Sequence, residues 1–223
     1  MSRIFHLVRH GQSTWNLEHR VQGAQHEPPL TDLGRHQARA AAAALLDLLG
    51  GRPGLLMTSD QQRAVQTAEI IGGALGLRAI PTPLLREQGW GLLEGLTTTA
   101  AMAELADVDL SDPDFRWAGG ESTTDVLSRV AELLGSATIT DLPVGTEIIL
   151  VSHGDTIRVL MTHLLGERLA EAPWRQFENG SVTTISGNRR PGQVACRRPI
   201  DDPTVDKARG AAAKASRPGR SLP

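Results

Sequence analysis

Two histidines, His10 and His153, stand in the same local setting. Each follows a short run rich in large apolar and β-branched residues, Ile4 to Val8 and Glu147 to Val151, and each is followed at once by a glycine. Such runs read as buried strands. In a parallel sheet their carboxyl ends share one edge, where α/β folds bind ligands. The glycines let the backbone turn sharply and come close to a ligand. A neutral imidazole nitrogen at such an edge can attack phosphorus and form a phosphohistidine. A second imidazole can donate a hydrogen bond to a phosphoryl oxygen. Arg9, beside His10, and Arg63, on a helix after the second strand, supply cations for the remaining oxygens. A leaving alcohol also needs a proton. Glu87 is the favoured donor, because it sits among glycines and beside Trp90, where partial burial raises a carboxyl pKa. Glu94 and Glu121 are rivals on the same grounds. A metal site on His10, His153 and Asp155 is the competing chemistry, disfavoured by the cations nearby and by the lack of a cysteine cluster.

The elements that must hold these residues are legible in outline. Thr31 and Asp32 open a long alanine-rich helix that ends at Gly50-Gly51. Leu55 to Thr58 reads as a strand, and Ser59 or Asp60 is expected to cap a helix reaching Leu75. Leu77 to Ile80 reads as a further strand. Residues 84–122 look irregular, apart from a helix over Thr97 to Val108. A helix follows Glu121 or Ser122 and runs to Leu134. Another spans Thr156 to Leu165, with Asp155 as its expected cap. Ser181 to Ile185 is a late strand, which Gln193 to Arg197 is expected to pair. Strands separated by helices predict an α/β fold, a three-layer α/β/α sandwich on a mostly parallel sheet.

The chain has 223 residues, 40% of them hydrophobic and 22% charged, as for an ordinary folded domain. Residues 1–199 are expected to form one catalytic domain and residues 200–223 a flexible basic tail. The tail carries Lys207, Arg209, Lys214, Arg217 and Arg220 against Asp206, a net +4. The formal net charge of the whole is −2, so the body carries −6. An acidic body is a poor nucleic-acid binder, because the phosphate backbone needs a positive surface. No membrane partner is expected, since no segment approaches spanning length without polar interruption. The cytoplasm is the expected location. The single cysteine, Cys196, allows no intrachain disulfide. His6, inside the first strand, reads as structural. Packing is the expected role of at least half of the four tryptophans, Trp15, Trp90, Trp117 and Trp174.

Six ordered segments carry a resemblance. They are Arg9-His10-Gly11-Gln12-Ser13-Thr14-Trp15-Asn16; Pro29-Leu30-Thr31 with Gly34 and Gln37-Ala38; and Ser59-Asp60 with Arg63-Ala64 and Thr67-Ala68. The others are Glu87 with Gly91 and Glu94-Gly95; Gly119-Gly120-Glu121-Ser122; and Val151-Ser152-His153-Gly154. Over about residues 3–190 the chain resembles the histidine phosphatase superfamily, the phosphoglycerate mutase-like family. The resemblance implies that His10 becomes phosphorylated, that Arg9, Arg63 and His153 bind phosphoryl oxygens, and that Glu87 donates the proton and then activates water. It implies that Asn16 helps bind phosphate and that Gln22 and Gly23 line the substrate pocket. It implies no cofactor and no metal, and a small phosphorylated metabolite as partner. The stretch Ala24-Gln25-His26-Glu27-Pro28 departs from the family's usual acidic element, which leaves the pocket rim open.

The resemblance covers phosphatases and mutases. Mutases of the family carry a basic insertion after the donor segment. Here Leu96 to Ala118 holds Arg116 as its one basic residue, among Glu104, Asp107, Asp109, Asp112 and Asp114. Hydrolysis is the favoured reaction. Phosphoryl transfer within a sugar or glycerate, and phospholigand binding without catalysis, are the alternatives.

Overall fold

The computed structural model describes residues 3–186 and 195–197. In chain order the elements are β1 (Ile4–Arg9), α1 (Thr14–Leu17), α2 (Asp32–Leu49), β2 (Gly54–Ser59), α3 (Gln62–Leu75), β3 (Ala79–Thr82), α4 (Thr98–Glu104), α5 (Thr123–Gly135), α6 (Ala137–Thr140), β4 (Glu147–Ser152), α7 (Gly154–Leu164), β5 (Val182–Ser186) and β6 (Ala195–Arg197). The strands form one six-stranded sheet in the order β3-β2-β4-β1-β5-β6. β3, β2, β4 and β1 run parallel, and β5 and β6 are antiparallel to their neighbours.

Strand periodicity assigns each side chain to a layer. Ile148 and Leu150 of β4 face one side with Phe5, Leu7 and Met57, where Val126, Val130 and Leu133 of α5 and Ile157 and Leu160 of α7 cover them. Ile149 and Val151 face the other side with Val8 and Leu56, beneath Ala41, Ala42 and Leu45 of α2 and Ala64, Ala68 and Ile71 of α3. All six residues of β4 are buried, as expected of a strand covered on both faces. The small side chains of α2 and α3 let those helices lie close to the sheet and to each other. This is the sandwich that the sequence predicts.

The winding places the site. From β1 through β2 to β3 the chain steps toward one edge, with α2 and α3 on one face. It then returns along the other face through α5 and inserts β4 between β2 and β1. Right-handed crossovers require this change of face when the direction reverses. β1 and β4 are therefore neighbours at the switch, and their carboxyl ends open toward the same crevice.

Several boundaries differ from the sequence reading. Neither Ser59 nor Asp60 caps α3: its N-cap is Gln61, with no side-chain capping bond. Asp60 is taken by Arg86, in a two-pronged pair at 2.8 and 2.5 Å. α7 starts at Gly154, so His153 is the N-cap residue and Asp155 lies inside the first turn. β3 lies about two residues later than expected, and α6 was not expected at all. Trp15 and Trp90 are half-buried, Trp90 against a small apolar cluster, whereas Trp174 is 77% exposed. The 200–223 tail, Gln193 and the side chain of Cys196 lie outside the described residues.

His6 is structural, as expected. Its ring lies 2.9 Å from Thr184 Oγ1 and 2.6 Å from Glu147 Oε2, and Arg52 also binds Glu147. Four residue steps along the chain separate it from His10, about 13 Å at strand rise.

One close approach joins the fold to the site. A Cβ on Gly34 of α2 would stand 2.1 Å from the Gln12 carbonyl oxygen, and one on Gly11 would stand 2.2 Å from the Gly34 carbonyl oxygen. Both obstacles are backbone, so they cannot swing aside. Gly34→Ala is expected to lower folding stability by about 1–3 kcal/mol. Gly73→Ala, in open space on α3, should match or exceed the parent. Urea midpoints measure both, and equal midpoints for Gly34→Ala and the parent would contradict the packing argument.

Candidate active site

His10 and His153 extend directly from paired strands. Arg9 stands opposite Ser152 in the β1–β4 register, so the next residues on each strand meet. Their ring centroids lie 4.9 Å apart, at an interplanar angle of 58°. The backbone around His10 is fixed from several sides. Its N–H donates to the Ser152 carbonyl (2.9 Å), and its carbonyl accepts from Asn179 Nδ2 (3.0 Å). Gly11 N–H donates to Thr67 Oγ1 (3.1 Å).

Hydrogen bonding sets the tautomers. His10 Nδ1 lies 2.7 Å from the Gly11 carbonyl oxygen, which only accepts. Nδ1 therefore carries the proton, and Nε2 of the neutral ring keeps a free lone pair. His153 is the reverse: its Nδ1 accepts from Arg63 Nε at 3.2 Å, which puts the proton on Nε2. That Nε2–H is buried and has no acceptor among the described residues, and Arg9 Nε is in the same condition. Two buried donors without partners beside one free imidazole lone pair suit an anion with several oxygens.

Electrostatics keep both rings neutral. Burial pushes the His10 imidazole well below the ordinary histidine range, and the charges of Arg63 and Arg9 push it further. Burial, then Arg63 and then His10, do the same to His153. Arg63 is fully buried. Burial brings its pKa down to about 10, which still leaves it a cation at neutral pH.

The guanidinium groups are held by carbonyls. Arg9 Nη1 donates to the Phe177 carbonyl at 2.5 Å. Arg63 donates from Nη1 to the Gln25 carbonyl (2.7 Å) and from Nη2 to that of Gly23 (3.1 Å). Gly23 has positive φ, and a Cβ there would collide with Glu94.

Among the three acids, only Glu87 meets the site. Thr156 N–H donates to its Oε1 at 3.2 Å, and Asp155 N–H approaches its Oε2 at 3.4 Å. A Cβ on Gly154 would lie 3.7 Å from Arg9 Cζ and 3.9 Å from Glu87 Oε2, so Glu87 and Arg9 face each other across that glycine. Burial pushes the Glu87 carboxyl up and Asp155 adds to the rise, while Arg63 and Arg9 pull it down. The rivals do other work. Glu94 accepts from Ala24 N–H, Trp90 N–H and Gln25 Nε2. Glu121 pairs with Arg129 at 2.9 Å and accepts from Gly89 N–H.

The expected pocket residues form an outer ring. Asn16 Oδ1 accepts from Ser13 N–H (3.0 Å) and from Asn179 Nδ2 (3.3 Å). Gln22 Oε1 accepts from Ser13 Oγ at 2.6 Å, and Gly23 contributes its carbonyl to Arg63. Glu94 ties residues 24–25 to the segment 90–96. That segment leads into a small third cluster of Leu93, Ala101 and Leu105, with Trp90 packed against it.

Sequence reasoning missed Gln61. It is fully buried, donates from Nε2 to the Gly23 and Gln25 carbonyls, and accepts Glu87 N–H at Oε1 (2.8 Å). It thus joins the loop holding Arg63 to the acid. Its place two residues before Arg63 was the only available signal. Thr156 and Asn179 were missed as well. Among the described residues no group of three His, Cys, Asp or Glu side chains is placed to hold a metal, so His10, His153 and Asp155 do not form such a site. Among those residues no helix is long and apolar enough to cross a membrane.

Known proteins resemble this chain over most of its length. Residues 5–198 match the histidine phosphatase superfamily (branch 1). A glucosyl-3-phosphoglycerate phosphatase of Mycobacterium tuberculosis is 38% identical over 203 residues, covering 83% of this chain and 86% of the relative. A probable phosphoglycerate mutase, GpmB, of Serratia proteamaculans is 37% identical over 193 residues with the same coverage. Among solved structures, a mycobacterial glucosyl-3-phosphoglycerate phosphatase in complex with VO3 is 32% identical with a TM-score of 0.72, covering 87% of this chain and 96% of that one. With paired edge histidines, two arginines and a raised carboxyl in one crevice, and a match spanning most of its length, the chain belongs to the histidine phosphatase superfamily, branch 1.

Proposed function

We propose that this chain is a histidine-dependent phosphomonoesterase that hydrolyses a small phosphorylated metabolite through a phosphohistidine on His10. The observation that carries the reading is the pair of opposed tautomers: a free lone pair on His10 Nε2 and an unpartnered N–H on His153 Nε2. In the first step His10 Nε2 forms a bond to phosphorus as the ester P–O bond breaks. Glu87 gives its proton to the leaving oxygen. In the second step water attacks the phosphohistidine, Glu87 takes its proton, and the P–N bond breaks to release inorganic phosphate and neutral His10. Arg9, Arg63 and His153 hold the phosphoryl oxygens through both steps, where positioning and charge supply most of the catalysis. Neither step calls on a metal ion. Asn16, Gln22 and Gly23 line the approach and fix the groups that touch phosphate.

The relatives' names make esters containing 3-phosphoglycerate the first substrates to test. The mutase reading has several relatives' names behind it, but the cover segment argues against it. Its one basic residue, Arg116, is already paired with Asp125 at 3.1 Å, so no spare cation there would hold a second acidic group during reorientation. Product analysis separates the reactions, since hydrolysis releases phosphate and a mutase returns an isomer.

His10→Ala is expected to lower kcat by on the order of 10⁴ or more and to abolish acid-labile phosphoenzyme trapped by rapid quench. Retained phosphoenzyme would remove His10 from its role. Glu87→Gln is expected to cut kcat by about 10²–10⁴ on alkyl phosphates. On p-nitrophenyl phosphate, whose leaving group needs no proton, it should still give a burst of nitrophenol followed by slow turnover. An equal loss on both substrates with no burst would speak against Glu87 as donor.

A further inference from the structure

A proton donor flanked by two arginines is in electrostatic difficulty. Arg9 and Arg63 both face Glu87 and favour its ionised form, in which it has no proton to give. Something nearby must oppose them. Burial does part of this. The remaining opposition lies in the first turn of α7, where Asp155 follows the glycine that separates Arg9 from Glu87.

Asp155 approaches the donor through its backbone, with N–H 3.4 Å from Glu87 Oε2. Its side chain is held in place by Arg158, one turn along α7, with Nη1 3.2 Å from Oδ1. Both side chains are largely shielded, at 16% and 22% exposure. Arg158 in turn lies over the Trp174 ring, 4.1 Å from its centroid. The Asp155 carboxylate is therefore held in the turn whose backbone meets Glu87, where its charge acts on that carboxyl and Arg158 partly offsets it. We propose that Asp155 is a positioning residue that keeps Glu87 in its proton-bearing form, and that Arg158 sets how strongly it does so.

The inference rests on the reading of Glu87 as the donor. The charges acting on Glu87 are Asp155 from α7, Arg63 from α3 and Arg9 from β1, in the crevice that holds the rings of His10 and His153; Arg158 of α7 reaches them through its pair with Asp155. Glu178 adds a further negative charge near Arg9. Glu121 and Arg86 stand nearby but are bound to Arg129 and Asp60. Among the negative charges in this set, Asp155 is the one whose backbone meets Glu87, and its charge favours the raised carboxyl. An acid in the first turn of a helix is ordinarily stabilising in its own right. That purely structural role would leave the titration of Glu87 untouched.

The sign follows from charge. A negative neighbour raises a carboxyl pKa, so removing it lowers the value. Removing Arg158 leaves Asp155 unopposed and raises it. Glu87 acts protonated, so its ionisation forms the alkaline limb of kcat/KM against pH. Measured with glycerol phosphate, Asp155→Asn should move that limb down by about 0.5–1 unit, a roughly three- to ten-fold loss on its alkaline side. Arg158→Met should move it up. The substrate's own ionisation is common to all the proteins compared. Carboxyl ¹³C NMR of Glu-labelled protein reads the same titration without activity, the Glu87 signal being the one missing in Glu87→Gln. Limbs and resonances that coincide with the parent in both variants, while Glu87→Gln still abolishes the limb, overturn the role of Asp155 alone. A limb that survives Glu87→Gln overturns the donor reading beneath it. Should Asp155→Asn fold poorly, Arg158→Met decides: an upward shift supports the proposal and an unmoved limb overturns it.

Discussion

The parallel pairing of β1 with β4 fixes the distance on which the chemistry depends. Strands bound in register deliver their next residues side by side, and here those residues are His10 and His153, with rings 4.9 Å apart. Neither loop beyond the strands has to find the other. The pairing is secured from both faces by buried aliphatic side chains, a full burial of each contributing about 1.5–3 kcal/mol. The catalytic geometry is thus a by-product of the most stable part of the sheet. The 22–25 loop brings carbonyls that hold Arg63, and Glu94 ties that loop to the segment 90–96.

The two imidazoles differ although their settings look alike in sequence. What separates them is the partner at Nδ1. A carbonyl acceptor at His10 forces the proton onto Nδ1 and frees Nε2. A guanidinium donor at His153 does the opposite. Arg63 therefore acts twice, as a cation and as the group that turns its neighbour into a hydrogen-bond donor. Replacing it with lysine would keep the charge and lose the planar fork that reaches His153, Gly23 and Gln25 together.

Much of this was legible from sequence, for definable reasons. The strands before His10 and His153 are strongly apolar, and strand-then-glycine leaves little freedom in where the histidine goes. The caps Thr31 and Ser122 were readable because a cap bonds to its own helix. Partnerships across the chain were not. Asp60 fails as a cap because Arg86, far along the chain, claims it, and Gln61 gains its role from Gly23, Gln25 and Glu87. The three acids Glu87, Glu94 and Glu121 have similar glycine-rich surroundings, so their local sequence favoured Glu87 without excluding its rivals. Glu94 is distinguished by binding the 24–25 loop and Glu121 by binding Arg129. Short elements such as α6 lack a period long enough to see.

Burial and cationic neighbours hold both imidazoles well below the ordinary histidine range. That depression has a use once substrate arrives. A phosphate ester brings up to two negative charges within bonding distance of both rings, and such a charge favours protonation. An imidazole poised near 7 in the free protein would gain a proton on binding and lose the lone pair needed for attack. One already held well below the ordinary range can absorb that rise and stay neutral. The same dianion raises the Glu87 carboxyl, which suits a donor. Substrate charge therefore pushes both groups toward protonation, which helps the acid and is tolerated by the nucleophile. Buried arginines beside a depressed histidine and a raised glutamate set that asymmetry before the substrate binds.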